Sequence, residues 1–174
     1  MAGLSGHDAN TGEQVMNQDE FAALLARFSA AATAGDGKAF AECFTQDAVY
    51  HDYIYGDHKG RAEIAHMLTE LFHRDARDYD WRMIDPVCNG DLGYAWSLSK
   101  FTSTLPAYEG NEIVIDGMSR FELRDGLISD YRESVNGGVA MAQLGVEEPR
   151  LVGVLRKWAR QLRARPEVQA YLKS

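Results

Sequence analysis

The spacing of apolar residues changes once along the chain, and this change limits the folds that the chain can adopt. Up to about residue 73, apolar side chains recur every three or four residues, as on one face of a helix. Beyond about residue 80 the pattern is typical of strands. The sequences Asn89-Gly90-Asp91 and Arg124-Asp125-Gly126 predict tight hairpin turns between these strands. Helices followed by an antiparallel meander predict an α+β domain.

The individual elements follow from the same spacing. Asn17 or Asp19 can cap a first helix, which Gly35 ends in the left-handed conformation, and Asp36 caps a short second helix. We expect further helices at about 61–73, 139–144 and 150–165, and a turn at 56–60. Strands are expected at about 48–53, 80–87, 93–104, 112–123 and 127–135. A strongly curved sheet with helices on one side would form a cone with an internal cavity, where ligands commonly bind.

The composition excludes several classes of protein. The 174 residues carry 18 Lys and Arg against 26 Asp and Glu, and a net charge of −8 argues against binding of nucleic acid. Cys43 and Cys88 have neither zinc-site nor disulfide spacing. No apolar run approaches the roughly 18 residues of a membrane span. The N-terminus does not resemble a signal peptide, so we expect a cytoplasmic protein without a membrane partner.

Three stretches of the chain carry a family resemblance. They are Ala34-Gly35-Asp36 with Phe44-x-x-Asp47-Ala48-Val49-Tyr50-x-Asp52, Gly56-Asp57-His58-x-Gly60-Arg61-x-x-Ile64, and Phe121 to Ile128 continuing into Asp130-Tyr131-Arg132-Glu133. Together they resemble the nuclear transport factor 2-like superfamily, and more closely its SnoaL-like branch, over about residues 19–146. The resemblance implies a curved antiparallel sheet with helices forming a cone. It does not fix the function, because the superfamily includes steroid isomerases, polyketide cyclases, dehydratases, epoxide hydrolases and non-catalytic proteins.

The chain divides into three parts on these grounds: a flexible tail at 1–16, the cone domain at 17–146, and a basic helical extension at 147–174. From Pro149 onward, seven Lys and Arg face one Glu, and Leu151, Leu155, Trp158 and Leu162 form an apolar stripe. One interpretation is a docking helix for an acidic partner, a nucleic acid or a membrane. We favour a helix packed on its own acidic domain or on a dimer partner. The resemblance implies dimerisation through the outer face of the sheet, so we expect a homodimer.

Asp52 is the first candidate catalytic residue. Strand alternation puts it on the same face as Ala48 and Tyr50. In ketosteroid isomerases, which this stretch resembles, the matching aspartate is the general base. A carboxylate in an apolar cavity is poorly solvated, so its proton affinity rises and it can take a proton from a carbon next to a carbonyl. The alternative is that Asp52 only ends the strand and bonds to the amides of residues 53–56.

An isomerase also needs hydrogen-bond donors for the developing enolate oxygen. The resemblance puts the first donor position at Phe28, which has no donor, and the second at Ser119, where the isomerases have an aspartate. We therefore do not expect ketosteroid isomerase activity. The Arg-x-Asp pair of the superfamily's epoxide hydrolases is replaced by Ser97-Leu98-Ser99. SnoaL-type cyclases use one acid–base aspartate and no cofactor, and this lighter requirement suits the chain best.

Aromatic side chains on several strands predict a lining for a hydrophobic or aromatic small molecule. The predicted substrate-binding residues are Tyr50, Tyr94, Trp96 and Tyr131, together with Phe28 and Ser119 at the two donor positions and His58. The alternative is that these rings only fill the core. Glu133 shares a strand face with Tyr131, and an inward carboxylate is seldom buried without a partner. It is either a second acid–base group beside Asp52 or the ion-pair partner of Lys100.

The histidines do not predict a metal site. His51, Asp52, Asp57 and His58 lie close in sequence, but their spacing is not a known ligand pattern, and we expect neither a metal nor a cofactor. His58 is instead expected to cover the mouth of the cavity. Two functions stay open. The chain is either a cofactor-free acid–base enzyme that catalyses isomerisation, cyclisation or dehydration, or a non-catalytic domain for ligand binding or assembly.

Overall fold

The computed structural model describes residues 16–174, and the expected flexible tail lies outside these residues apart from Met16. Within them, the helices are α1 (Gln18–Ala34), α2 (Gly37–Ala41), α3 (Gly60–His66), α4 (His73–Asp75), α5 (Gly137–Leu144), α6 (Glu148–Ala164) and α7 (Pro166–Tyr171). The strands are β1 (Phe44–Asp52), β2 (Gly56–Lys59), β3 (Ala76–Asn89), β4 (Leu92–Ser103), β5 (Glu112–Arg124) and β6 (Leu127–Val135). A π-helical stretch, Met67–Phe72, joins α3 to α4.

The strands form one six-stranded sheet in the order β2-β1-β6-β5-β4-β3. The α+β class is confirmed, and four of the five strand pairs are antiparallel as expected. The pair β1 and β6 is parallel, which the sequence pattern did not predict. Strand β2 occupies most of the segment where we expected only a turn, because it pairs along β1 with His58 opposite Tyr50.

Local irregularities in β3 accompany the curvature of the sheet. Its pairing with β4 shifts register twice, near Asp78 and Asp85, and both residues have a positive φ. Bulges of this kind bend a strand and increase its twist. Helix α1 packs across the concave face, and Gly93 allows this approach, since a Cβ there would lie 2.4 Å from the ring of Phe21. The sheet therefore closes around α1 at one end and remains open at the other.

The sequence specifies α1 through its ends and its apolar face. Asn17 accepts hydrogen bonds from the first-turn amides, Glu20 completes a capping box, and Gly35 ends the helix with φ of 70°. The buried face of α1 joins an aromatic core between the helices and the sheet. At its centre, the ring of Phe28 lies 4.7 Å from that of Phe40 and 5.6 Å from that of Tyr131.

The C-terminal helices lie across the open end of the same domain. The side chain of Gln143 in α5 donates to and accepts from the backbone of Val114, at 2.9 Å in both cases. Helix α6 contacts the domain through Trp158, which packs against Gly137 and meets the ring of Tyr53 edge-on. Within residues 16–174, none of the helices combines the length and apolar character needed to span a bilayer.

Candidate active site

A cavity of about 210 Å³ lies at the open end of the cone, and we call it the inner chamber. Strands β3 to β6 form its walls, α5 and Trp158 form its roof, and residues 52–55 complete one side. Aromatic and aliphatic side chains make up most of its surface. Its polar side chains include Asp52, Glu133, Ser97 and Ser99. The inner chamber is thus a mainly apolar space with a few polar groups, as in many small-molecule sites.

A second cavity of about 590 Å³ lies between the end of the sheet and helices α6 and α7, and we call it the vestibule. Its own lining includes His51, Asp57, Arg132, Lys157, Gln161 and Arg165. It shares Asp52, Glu133, Trp158 and residues 53–55 with the inner chamber. The two cavities therefore meet at the two carboxyl groups.

Glu133 projects from β6 to the boundary of both cavities. Its Oε2 accepts a hydrogen bond of 3.0 Å from the hydroxyl of Tyr131, which lies 2.9 Å from Oγ of Ser119. Burial raises the pKa of Glu133 from 4.5 to about 7, and the charge of Asp52 adds to this rise against the opposing effect of the Tyr131 bond. Near neutral pH, Glu133 can therefore both give and take a proton.

Asp52 both ends its strand with hydrogen bonds to turn amides and lies at the cavities. It is the last residue of β1, and its Oδ1 accepts hydrogen bonds from the backbone N–H of Ile54 at 2.7 Å and of Tyr55 at 2.6 Å. It also lines both cavities. Burial raises its pKa, while the two amides and the nearby His58 act in the opposite direction. Its expected position at a sheltered cavity is confirmed, and its catalytic role stays a prediction.

The surroundings of the two carboxyl groups favour protonated Glu133 and ionised Asp52. Among residues 16–174, Glu133 has a single hydrogen-bond partner, a hydroxyl, whereas two amides stabilise the charge of Asp52. Two nearby carboxyls in a poorly solvated site do not both ionise easily. When one of the two is protonated, we expect it to be Glu133. The expected pairing of Glu133 with Lys100 is wrong, since Lys100 is exposed and β6 directs Glu133 inward.

Three of the expected lining residues lie behind the wall of the chamber. Tyr50, Ser119 and Tyr131 are fully buried, and the rings of Tyr50 and Tyr131 lie 4.5 Å apart. They line neither cavity. Ser119 and Tyr131 are linked by hydrogen bonds to Glu133, and Tyr50 packs on Tyr131. Phe28 is likewise a core residue, and its expected contact with a substrate is wrong because five other aromatic rings surround it.

The prediction that Tyr94 and Trp96 line the cavity is wrong. Both lie on the outer face of β4, with exposed fractions of 37% and 41%. The pairing of strands sets this orientation, because Ala95 lies opposite the buried Ser119, and Trp96 lies opposite the exposed Met118. Apart from Phe101, the inward positions of β4 carry small residues such as Ser97 and Ser99, which leave room for the chamber.

Several chamber residues were not singled out from the sequence. Ser97 and Ser99 recur with the two-residue period of a strand, a signal that could have identified them as inward. Tyr55 donates a hydrogen bond of 2.6 Å to Asp75, and Trp158 belongs to the C-terminal extension. Tyr55 and Trp158 reach the chamber through contacts with distant parts of the chain, which no local sequence pattern predicts.

The histidines are positioned by carboxylates and strands. His51 lies between Asp57 and Asp130, at 2.8 Å and 2.9 Å, and these contacts raise its pKa. His58 lines neither cavity, so its expected cover over the mouth is wrong; α5 and Trp158 hold that position. Among residues 16–174, no group of three or more His, Cys, Asp or Glu side chains is arranged to hold a metal ion.

Comparison with known proteins supports the fold. The family model described as SnoaL-like domain matches residues 25–131. TsrD from Streptomyces laurentii is similar with a TM-score of 0.67 and 18% identity, over 76% of this chain and 99% of that one. A protein with a ketosteroid isomerase-like fold from Catenulispora acidiphila, solved with trimethylamine, is similar with a TM-score of 0.64 and 16% identity. The match covers 71% of this chain and 93% of that one. An LEH-like epoxide hydrolase of M. tuberculosis has a TM-score of 0.61 and 15% identity, over 77% of this chain and 96% of that one. No curated protein matches the chain.

Proposed function

The chain belongs to the SnoaL-like domain family of the nuclear transport factor 2-like superfamily, and from this premise we propose that it catalyses a proton transfer on a small molecule with Glu133 as its acid–base group. One observation carries the proposal. The carboxyl of Glu133 lies at an apolar chamber, where it accepts a hydrogen bond from the Tyr131 hydroxyl, and its pKa is raised to about 7. A general acid–base group is most effective when its pKa lies near the working pH.

The proposed reaction is a proton transfer next to a carbonyl group, as in an isomerisation, cyclisation or dehydration. Ionised Glu133 takes a proton from the carbon beside the carbonyl, whose oxygen gains the negative charge. The hydroxyls of Ser97 and Ser99 face the same chamber and are the candidate donors to that oxygen. Protonated Glu133 then returns the proton to another atom. Asp52 remains ionised and keeps the pKa of Glu133 high.

The chamber supports a small, largely apolar substrate. Its 210 Å³ is below the 300–1,000 Å³ typical of sites for drug-sized ligands. Tyr79, Trp81 and Phe101 contribute aromatic rings to its walls. One or two fused rings would fit this space, with any further part of the molecule extending into the vestibule.

Hydrogen exchange on small ketones would test this proposal. Cyclic ketones and enones are incubated with the protein in deuterated buffer, and loss of the α-proton signal is followed by NMR. We expect Glu133→Gln to slow the exchange at least about 100-fold, because general acid–base catalysis contributes that much. The matched control is Glu112→Gln, since Glu112 is an exposed carboxylate at the start of β5.

The outcomes separate an enzyme from a binding domain. Exchange in the wild type that Glu133→Gln abolishes and Glu112→Gln preserves supports catalysis by Glu133. A ketone that binds in the chamber without exchange, or that exchanges equally in all three proteins, contradicts it. The first of these contradictory results would favour the non-catalytic binding domain that the sequence left open.

We further propose that the outer face of the sheet pairs with a second copy of the chain. This face exposes a group of large apolar side chains: Val87, Tyr94, Trp96, Val114 and Met118. Contiguous exposed apolar surface of this kind is typical of protein interfaces. Sedimentation of the wild type should give a dimer, and Trp96→Arg should give a monomer. A monomeric wild type at micromolar concentration would contradict the proposal.

A further inference from the structure

The vestibule is lined by both acidic and basic side chains beside the proposed catalytic carboxyl. Besides Asp52, Glu133 and the titratable His51, five charged side chains line it: Asp57, Arg132, Lys157, Arg165 and Glu167. Asp130 lies behind His51, 2.9 Å from its ring. Asp57 is held by His51 at 2.8 Å, and Glu167 lies 3.6 Å from Arg132. Both acidic residues of the outer vestibule are therefore already partnered.

The two remaining cations have no such partner. Among the residues that the structure describes, neither Lys157 nor Arg165 forms an ion pair. The guanidinium of Arg165 lies over the ring of Tyr53, 5.9 Å from its centroid. Such a contact orients a guanidinium without neutralising it. An anion entering the vestibule would meet two available cationic groups.

We propose that the substrate carries an anionic group, such as a carboxylate, which Lys157 and Arg165 bind in the vestibule while the apolar reacting part occupies the inner chamber. This inference rests on the proposed function and adds the substrate class. The two cavities share Asp52, Glu133 and Trp158, so one molecule can extend from one cavity into the other. The carboxyls at the boundary repel an anion, which orients the charged end outward.

The helix that supplies these cations lies beyond the family match. The SnoaL-like match covers residues 25–131, whereas Lys157 and Arg165 belong to and follow α6. The anion site is thus a property of this chain's C-terminal extension. Arg156 and Arg160 lie on the same helix but line neither cavity. They provide a control with the same change of charge.

Three probes that differ only in their charged end test the proposal. The probes are phenylbutyrate, phenylbutyramide and phenylbutylamine, which share a phenyl ring and a short chain. Binding to the full chain is measured by calorimetry at pH 7 and low salt, and the ring's position is followed by NMR contacts with chamber residues. We expect phenylbutyrate to bind about five- to tenfold more tightly than the amide, in line with two partly exposed ion pairs.

The variants assign the preference to the two cations. In Lys157→Gln/Arg165→Gln the ratio of carboxylate to amide affinity should fall to about one, and it should stay unchanged in Arg156→Gln/Arg160→Gln. Raising the salt to about 0.15 M should reduce the wild-type ratio, because exposed charges are screened. Circular dichroism verifies that α6 is intact in both variants.

Each result decides between the two proposals. Equal affinity for carboxylate and amide, tighter binding of the amine, or an unchanged ratio in Lys157→Gln/Arg165→Gln overturns the anion site. In each of these cases the ring still occupies the chamber and the proposed function stands. If none of the probes binds in the chamber, both the anion site and the chamber as a substrate site are contradicted. Loss of ketone exchange in Glu133→Gln is independent of these measurements.

Discussion

Tyr131 donates through its hydroxyl to Oε2 of Glu133, two residues further along the same strand, at a distance of 3.0 Å. Because a phenol has one proton, the contact of 2.9 Å with Ser119 must then use the proton of the serine hydroxyl. The result is a buried chain of donors, from Ser119 through Tyr131 to Glu133, that ends at the proposed catalytic group. This arrangement gives the side chain of Glu133 a fixed position at the chamber.

Tyr131→Phe should change both the stability and the titration of Glu133. The substitution removes one hydrogen bond from Glu133 and leaves the buried Ser119 hydroxyl without its partner, so we expect a loss of about 1–3 kcal/mol in the free energy of unfolding. The pKa of Glu133 should rise, since this hydrogen bond lowers it. Urea denaturation and carboxyl-carbon NMR titration measure the two effects.

The control for this substitution is Tyr50→Phe. Within the described residues, the hydroxyl of Tyr50 is buried without a hydrogen-bond partner. Its removal should leave stability unchanged or improve it. A large loss of stability in Tyr50→Phe would show that this hydroxyl has a partner and would contradict the hydrogen-bond network described above.

Glu133→Gln should remove a dependence of stability on pH. The pKa of Glu133 is raised on folding, so the folded state binds its proton more tightly than the unfolded state. Its contribution is therefore most favourable below pH 4.5, declines as the pH rises to about 7, and is constant above. The full rise corresponds to at most about 3 kcal/mol. Denaturation at several pH values should show this decline in the wild type and a flatter profile in Glu133→Gln. An equal decline in both proteins contradicts the raised pKa.

His51→Gln should weaken the protein mainly at acidic pH. Hydrogen bonds to Asp130 and Asp57 raise the pKa of His51 from 6.5 against the effect of burial, so its contribution is fully present below pH 6.5 and is lost as the pH rises through the raised value. We expect about 1 kcal/mol or less, because His51 is partly exposed. The exposed His66 provides the control substitution, His66→Gln. A larger effect of His51→Gln at high pH than at low pH would reverse the sign and overturn the prediction.

Gly137→Ala should displace Trp158 from the roof of the chamber. A Cβ at Gly137 would lie 2.6 Å from the indole ring, so Trp158 must move. We expect a loss of about 1 kcal/mol in stability and a shift of the Trp158 indole N–H resonance, in keeping with mild overpacking. Gly138→Ala is the matched control, because its nearest neighbour would lie at 3.4 Å. Equal resonance shifts in the two variants would argue against this contact.

Much of the fold could be predicted because its signals are local. The capping box at Asn17, the left-handed Gly35 and the turn at Asp125-Gly126 each require particular residues at particular positions. The parallel pairing of β1 with β6 and the bulges at Asp78 and Asp85 depend on distant partners. No local pattern encodes them.

The site was predicted only in part for a related reason. The alternation in β6 placed Glu133 on the same face as Tyr131, since that face carries the larger apolar residues. In β4 the same reasoning failed, because the large ring of Trp96 faces outward and the small Ser97 faces the chamber. A cavity requires small residues on the inner face, so hydrophobicity alone indicates the wrong side there.

The packing of Trp158 on Gly137 has a consequence for how such a protein can diversify. The serines of the chamber lie on strands within the shared family region, whereas the tryptophan and the two cations of the vestibule lie in the stretch after it. Under the two proposals, the acid–base group Glu133, two residues after that region, and the anion site of the C-terminal helices are encoded in separate stretches of the gene. Exchange of the stretch from α6 onward between relatives would then change the ligand that is selected and leave the proposed acid–base group in place.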